Sequence, residues 1–523
     1  MIRKSVAPPL YCFTILLSLT LASWGVDPQF EAVHSYRSNG WQTSSVAVGD
    51  VNLDGKLDVV VANPCRDTNR CSKGGTVGVL LGIGDGTFQT VHNYSSGGQF
   101  AVSVALGDVN GDGHPDIVVA NTHPNTVGVL LGNGHGKFQT ASTYSSGGQS
   151  LNFLALGDVN DDGKLDLLVA DGCISSNDCS SGGVGVLLGN GDGTFQTAQL
   201  YDTGGFGPQS LAVADVNSDG RLDVVVANIC RINDGACQDE SVVSVLLGNG
   251  DGTFQTAQTY NSGGFYGSSV AVADVNGDNK LDLLVTNRCI QRKSDCFNDG
   301  TGSGVIGVLL GNGDGTFQNT ERYRSGGYGA GAIAVADLSH DGTLDIVVAN
   351  ICRIGCANGP AVIGVLSGNG DGTFQKAQRY GAGGYYPRQG ALAVADVNGD
   401  KKLDLVVATE CVPEFICNHG GGVGILLARY STTTILTSNL NPSIYGESVA
   451  LTAKVISEGP SAPQGTVTFK SGNNWLGKVT LNGGVAMLTT TKLPVGTLSI
   501  TARYNGDIPS MKSTSETLVQ VVQ

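Results

Sequence analysis

Residues 422–430 read "GVGILLARY", and the stretch stops where six relatives of it go on. Those relatives pass from an apolar strand through a glycine-rich turn into a second strand, as in "SVVSVLLGNGDGTFQTAQTY" at 241–260. The segment "LLGNGDGTFQ", or a close variant, begins at 80, 130, 187, 246, 309 and 366. The missing half of the seventh copy sits at the other end of the chain, where "PQFEAVHSY" at 28–36 matches "TFQTAQTY". One repeat is thus completed from both ends, which predicts a ring of sheets closed by an N-terminal strand. Closure removes the unpaired edge that an open array would expose. A solenoid, the competing repeat architecture, gives no reason for a split copy.

Each repeat carries the strands such a ring needs. In 211–261 the alternating "LAVA" leads into an acidic loop, and the apolar run "LDVVVAN" leaves it. A variable cysteine-bearing loop follows, and then the strand–turn–strand just quoted. Four short strands joined by tight turns form one antiparallel unit, the size of a propeller blade. The "NGDG" turn suits a hairpin needing positive φ, and a second metal site there is the weaker reading. With 78 glycines in 523 residues, the composition favours many turns over helices. The expected fold class is all-β: a seven-bladed β-propeller over about 27–430, closed by an N-terminal strand, then an Ig-like β-sandwich over 431–523.

The acidic loops follow the pattern D-x-N-x-D-G-x-x-D, seven times. Side chains at positions 1, 3, 5 and 9 and the backbone carbonyl at position 7 can converge on one hard cation. The candidate ligands are Asp50, Asn52, Asp54, Lys56 and Asp58 in the first loop, and Asp108, Asn110, Asp112, His114 and Asp116 in the second. The third and fourth supply Asp158, Asn160, Asp162, Lys164, Asp166, and Asp215, Asn217, Asp219, Arg221, Asp223. The fifth supplies Asp274, Asn276, Asp278, Lys280 and Asp282. The sixth and seventh supply Asp337, Ser339, Asp341, Thr343, Asp345, and Asp396, Asn398, Asp400, Lys402, Asp404. Residues at the seventh position act only through their carbonyls. Oxygen donors with three carboxylates point to Ca2+, up to seven ions, in a structural role. An EF-hand is excluded, because position 12 is apolar and the flanks are strands. Asn279 and Lys401 replace the glycine, and Ser339 the asparagine, so the sixth and seventh sites are expected to be the weakest.

The loops, the "GDGTFQ" turns and the sevenfold count resemble FG-GAP or VCBS repeats, which are similar to the propeller of integrin α subunits. The resemblance covers about 400 residues. It implies calcium in the hairpin loops and a ligand surface on the opposite face. Nothing matches an integrin's later leg, membrane or cytoplasmic parts, so heterodimer signalling does not carry over. In 431–523 the stretches "TTTILTS", "SVALTAKV", "GTVTFKS", "GVAMLTTT" and "GTLSITARYNGD" alternate as sandwich strands do. This part resembles a bacterial Ig-like domain, with a spacer as its expected role.

The N-terminus has Arg3 and Lys4 before a short apolar stretch and small residues near Ala22–Gly25. Residues 1–25 therefore read as a secretory signal peptide, and no other segment is apolar enough to cross a membrane. The expected location is extracellular or cell-surface. Of the thirteen cysteines, Cys12 lies in the signal peptide, and the other twelve fall into six close pairs: Cys65/Cys71, Cys173/Cys179, Cys230/Cys237, Cys289/Cys296, Cys352/Cys356 and Cys411/Cys417. An even count in an exported chain predicts local disulfides, and no spacing suits zinc. The net charge of −15 excludes a nucleic-acid binder of the usual basic kind. Of the 45 acidic residues, 21 sit at ligand positions of the seven loops, so the acidity follows from the expected metal sites.

Strand alternation puts the acidic loops and "NGDG" turns at one end and the cysteine and inter-blade loops at the other. Aromatic residues recur in the latter. Trp41, Phe206, Phe265, Tyr266, Tyr328, Tyr385 and Tyr386, with Arg388, form the candidate ligand face. Exposed rings and arginines on stiffened loops suit recognition. No H-E-x-x-H or G-x-S-x-G occurs, and the paired acids belong to the loops, so no enzyme is expected. The reading is a monomeric binding or adhesion module for a protein or surface polymer. A carbohydrate-binding lectin is the alternative, and a secreted hydrolase or lyase a weaker third.

Overall fold

The computed structural model describes residues 28–66, 74–174, 179, 181–233, 236–237, 240–291, 303–352, 360–388, 390–411, 420–459, 462–507 and 510–523. Residues 1–25, read as a signal peptide, lie outside them, as do Cys71, Cys296, Cys356 and Cys417. Every described element is a β-strand, and every strand pairing is antiparallel apart from isolated bridges.

Each repeat folds as four strands hydrogen-bonded in chain order. The first sheet comprises Ser45–Gly49, Asp58–Asn63, Thr76–Leu80 and His92–Ser95, and the second Gln99–Gly107, Asp116–His123, Thr126–Leu130 and Ser142–Ser145. The third comprises Gln149–Gly157, Asp166–Cys173, Gly183–Leu187 and Gln199–Asp202, and the fourth Phe206–Ala214, Asp223–Cys230, Val242–Leu246 and Gln258–Asn261. The fifth contains Phe265–Ala273, Asp282–Cys289 and Ser303–Leu309. It is continuous with the sixth, because the 16-residue strand Glu321–Ala336 ends one and begins the other. Asp345–Cys352, Val362–Leu366 and Gln378–Gly381 complete the sixth. The seventh has Leu392–Ala395, Asp404–Thr409 and Gly422–Leu426, and its fourth strand is His34–Arg37 from the N-terminus. The register there runs from His34 opposite Ile425 to Arg37 opposite Gly422, the pairing that the split copy predicts.

The second strands explain why the repeats carry unbroken apolar runs. Asp58–Asn63 is buried at every position, because both of its faces pack on neighbouring sheets. Each fully buried valine or leucine there contributes roughly 1.5–3 kcal/mol. The cores are shared between sheets. Val60 and Val79 pack with Ile117 and Val119 between the first and second sheets, and Val61 and Leu80 pack with Val406 and Val423 between the first and seventh. The first strands of successive sheets also lie side by side, including those of the seventh and first.

A second join between sheets was not anticipated from the sequence. The tyrosine of each "QTY"-type strand meets the phenylalanine of the next repeat's "GTF" turn edge-on. The pairs are Tyr36–Phe88, Tyr94–Phe138, Tyr144–Phe195, Tyr201–Phe254, Tyr260–Phe317, Tyr323–Phe374 and Phe30–Tyr380, with centroids 5.1–5.5 Å apart. Edge-to-face contact satisfies the ring quadrupoles and adds about 0.5–1.5 kcal/mol per pair beyond burial. Phe30 lies in the N-terminal stretch, so this series too runs from one end of the chain to the other.

The C-terminal part folds as two sheets. Thr432–Ser438, Val449–Ser457 and Val485–Thr490 form one. Asn474–Thr480, Thr466–Ser471 and Gly496–Tyr504, with Ser513–Thr514 and Leu518–Val522, form the other. Val449, Leu451, Phe469, Ile500 and Tyr504 fill the space between them. The five predicted strands are present, and Asn474–Thr480, Ser513–Thr514 and Leu518–Val522 are additions.

Candidate functional site

The seven acidic loops share one geometry, which the first shows. Asp50 accepts the N–H groups of Asp54 and Gly55 at 3.1 and 2.8 Å, and Asn52 Oδ1 accepts that of Asp54 at 3.1 Å. Asp54 Oδ1 takes the N–H of Lys56 at 3.0 Å. Such bonds curl the loop around its own carboxylates. Position 9 anchors it. Asp58 accepts from Val51 N at 2.9 Å and Gly82 N at 2.7 Å, which ties the loop to the third strand's exit. The position-9 residues Asp58, Asp116, Asp166, Asp223, Asp282, Asp345 and Asp404 are all 0% exposed.

Burial pushes each of these carboxyls above the usual range, backbone N–H groups pull it back, and the charges at positions 1 and 5 push it up again. The result is about 6 for Asp223, Asp282 and Asp345 and about 8 for Asp404. Three carboxylates close enough to repel one another are a donor set for a hard cation. The residues present therefore fit calcium. Positions 1, 3, 5 and 9 would hold it by side chain and position 7 by carbonyl, and its charge would offset the repulsion. Among the described residues no three His, Cys, Asp or Glu side chains are already drawn into a metal cluster, since positions 1 and 5 are turned onto the loop's own N–H groups. Lys164 and Lys280 reach the position-5 residues Asp162 and Asp278 at 3.2 and 3.3 Å on the surface, where such pairs contribute little.

Two loop positions take left-handed backbone, not one. At position 6, Gly55 has φ +81°, and both replacements follow it: Asn279 at +62° and Lys401 at +71°. Position 4 does the same at Leu53, Asp161, Ser218 and His340, with φ between +55° and +58°. Lys401 keeps the loop bond, its N–H meeting Asp396 Oδ2 at 2.7 Å. Lysine pays a steric cost there that glycine does not. Lys401→Gly is therefore expected to stabilise the protein by about 1 kcal/mol, read as a higher melting temperature in calcium; an unchanged or lower one would refute the strain.

The seventh loop differs in being covered. Tyr430, where the Ig-like part begins, donates its hydroxyl to the Asp400 carbonyl. Lys402 Nζ bonds the Arg429 carbonyl at 3.1 Å and sits 4.5 Å over the Tyr430 ring. Arg429 also pairs with Glu31 at 3.0 Å and donates to the Asp507 carbonyl at 3.1 Å. The cover raises the Asp400 and Asp404 carboxyls and lowers the Lys402 ammonium, in each case chiefly through burial.

At the opposite end, the disulfide Cys173–Cys179 is formed, with an S–S distance of 2.04 Å. Cys65, Cys230, Cys289, Cys352 and Cys411 are also disulfide-bonded. The Cys237 side chain lies outside the described residues. The expectation of freely exposed aromatics needs correction. Trp41, Phe206, Phe265, Tyr266, Tyr328, Tyr385 and Tyr386 are all half-buried. The cause is strand pairing. Trp41, Phe206, Phe265, Tyr328 and Tyr385 lie directly across from Cys65, Cys230, Cys289, Cys352 and Cys411. Phe206 and Phe265 start strands, Tyr328 lies within the long strand Glu321–Ala336, and Trp41 and Tyr385 form isolated bridges, so all five flank the disulfides. Tyr266 and Tyr386, one residue further on, hold φ +58° and +53°, conformations that bulky residues rarely adopt.

Behind these residues is a cavity of about 360 Å³. It draws on five sheets, through Asn152, Gln209, Arg288, Ile351 and the seventh sheet's Tyr386 and Glu410. Arg388 enters from the same loop and binds Glu410 at 2.5 Å. Arg388 and Tyr386 were anticipated as ligand-face residues. The cavity was not, because it assembles residues as far apart in sequence as Asn152 and Glu410.

The fold and its loops define an all-β repeat protein with an Ig-like end. The chain belongs to the FG-GAP family. The FG-GAP-like repeat matches residues 67–119, 108–169, 158–226, 231–285, 296–348 and 354–407, and the FG-GAP repeat matches 43–80. A bacterial Ig-like domain (group 3) matches 436–523. No curated protein matches the sequence. Among solved structures, the chain is similar to the Vibrio cholerae biofilm matrix protein Bap1, at 15% identity and a TM-score of 0.43 over 76% of this chain and 91% of that one. It is also similar to the extracellular domain of a hybrid two-component system of B. thetaiotaomicron, at 8% identity and 0.40 over 95% and 60%. The Pseudomonas aeruginosa PilY1 C-terminal domain follows at 10% and 0.33 over 85% and 93%. Likeness at this level carries no argument about function. No helix among the described residues is long and apolar enough to cross a membrane.

Proposed function

We propose that the seven sheets form one closed seven-bladed propeller, stabilised by calcium, that acts outside the cell as a binding module through the face opposite the acidic loops. The observation that carries this reading is the cavity at that face, whose wall comes from five successive sheets. A ring-like arrangement would bring such distant loops to one mouth. The shared cores of the first and seventh sheets and the N-terminal pairing support closure. Disulfide-stiffened loops and left-handed Tyr266 and Tyr386 support a surface held in a costly conformation for use. The ligand is a protein or a surface polymer. A lectin is the reading the polar cavity favours, because amide, guanidinium and tyrosine groups suit sugar hydroxyls and ring faces. The residues assembled there include no nucleophile–base pair, so binding is preferred to hydrolysis.

A glycan array probed with purified protein, in millimolar calcium and then in excess chelator, tests this. Specific hits that vanish with the chelator are the expected result. A blank array from folded, calcium-loaded protein would remove the lectin and leave a protein ligand.

A further inference from the structure

Arg288 stands at the end of the second strand of the fifth sheet, next to the disulfide-bonded Cys289. Part of its surface faces the cavity, and the rest is packed against protein. Among the described residues, no hydrogen bond or ion pair engages its guanidinium. Burial pushes it below its usual range, and the charge of Arg388 pushes it the same way. A guanidinium stays protonated in proteins and costs several kcal/mol to bury unpaired. An interior that keeps one beside a second arginine holds it for an anion.

The surroundings narrow the anion's class. Glu410 answers Arg388 at 2.5 Å, so one positive charge of the pair is neutralised and Arg288 is left over. A planar five-donor fork matches a carboxylate with two parallel bonds. The rest of the lining is neutral: Asn152 and Gln209 are polar, Ile351 and Pro387 apolar, and Tyr386 forms a ring wall. Such a wall suits hydroxyl-bearing rings better than a peptide's apolar side chains. The volume of about 360 Å³ has room for one or two sugar rings.

We propose that this cavity binds the carboxylate of an acidic sugar within a polysaccharide, with Arg288 taking the carboxylate and Arg388 keeping the Glu410 charge neutralised beside it. This rests on the reading of that face as the binding face and names the class of polymer it takes. The negative net charge of the whole chain does not oppose it, because the acidic loops lie at the far end of every sheet.

The test is calorimetric titration of the calcium-loaded protein with glucuronate, galacturonate, mannuronate and guluronate oligosaccharides, calcium being kept in large excess over uronate. The same oligosaccharides with their carboxyls reduced to alcohols form the second arm, and an aspartate-rich peptide the third. At least one uronate series is expected to bind, with its reduced form at least tenfold weaker. Arg288→Gln is expected to lose at least tenfold in affinity while melting no lower than the parent, since it removes a buried unpaired charge. Arg288→Lys is expected to fall between the two. Should Arg288→Gln fail to fold, Arg388→Ala at the exposed rim carries the same expectation of weakened binding. The proposal is overturned if no uronate binds, if Arg288→Gln binds as the parent does, or if the peptide outcompetes every sugar. Array hits on neutral glycans, unaffected by Arg288→Gln, would keep the binding-module reading and remove this site.

Discussion

Asp171→Asn is expected to raise the melting temperature at pH 8 and to leave it unchanged near pH 4. Asp171 occupies the position that holds asparagine in five other repeats: Asn63, Asn121, Asn228, Asn287 and Asn350. There the amide works twice. Asn121 accepts from Ser96 Oγ at 2.6 Å and donates to the Ser96 carbonyl at 3.0 Å, and Asn287 treats Ser262 likewise at 2.6 and 2.9 Å. Asp171 keeps the first bond, from Ser146 Oγ at 2.8 Å, but its Oδ2 has no partner and is buried. An ionised carboxylate cannot donate to the Ser146 carbonyl, whereas a protonated one can. Burial raises the Asp171 carboxyl to about 8, against the pull of Ser146 and the Gly148 N–H.

The sign follows from linkage. A carboxyl whose folded pKa lies above its unfolded value favours folding below the unfolded value, near 3.8. That contribution is lost as pH rises toward 8. Over about four units the loss amounts to at most about 5 kcal/mol. Asparagine supplies the missing donor at every pH, so the variant should show none of this slope. Melting curves of both proteins at pH 4 to 8, in saturating calcium, decide it. Curves that stay parallel would mean that Asp171 is solvated or already paired.

The same residue shows where sequence reading stops. The repeat count, the split seventh copy, the acidic loops and the five Ig-like strands were legible because each is a pattern repeated in register. Asp171 breaks a pattern by one atom, and the cost appears only when Ser146 is seen beside it. The aromatics after each "GG" were legible as a series, but their half-burial depends on the cysteine strand across from them, as with Phe206 and Cys230. The left-handed position 4 was hidden because Leu53, Asp161, Ser218 and His340 share no side-chain property. The Tyr–Phe joins link residues of different repeats, so no single repeat displays them. Arg288 looked like one more loop arginine until five sheets closed around it.

Chelation is the change expected to have the largest effect of all. Each loop holds three carboxylates, and the position-9 residue, fully buried, feels the charge of the other two. Without a cation that repulsion acts in every sheet, at the link between first and second strands. If calcium stands tenfold above each dissociation constant, one site adds about 1.4 kcal/mol, and seven independent sites about 10 kcal/mol. For some 400 residues with an unfolding entropy of about 2 cal/mol/K each, the melting temperature should fall by roughly 10 °C in chelator. Elemental analysis of dialysed protein should find up to seven calcium ions per chain. Asp54→Ala separates the metal from the loop's own bonds. Asp54 is exposed and, apart from its expected ligand role, accepts only the Lys56 N–H. The variant should therefore lose one ion and about 1.4 kcal/mol in calcium, yet nearly match the parent in chelator. Equal losses in both conditions would assign the whole effect to the loop's hydrogen bonds, and calcium would have no part in holding the sheets together.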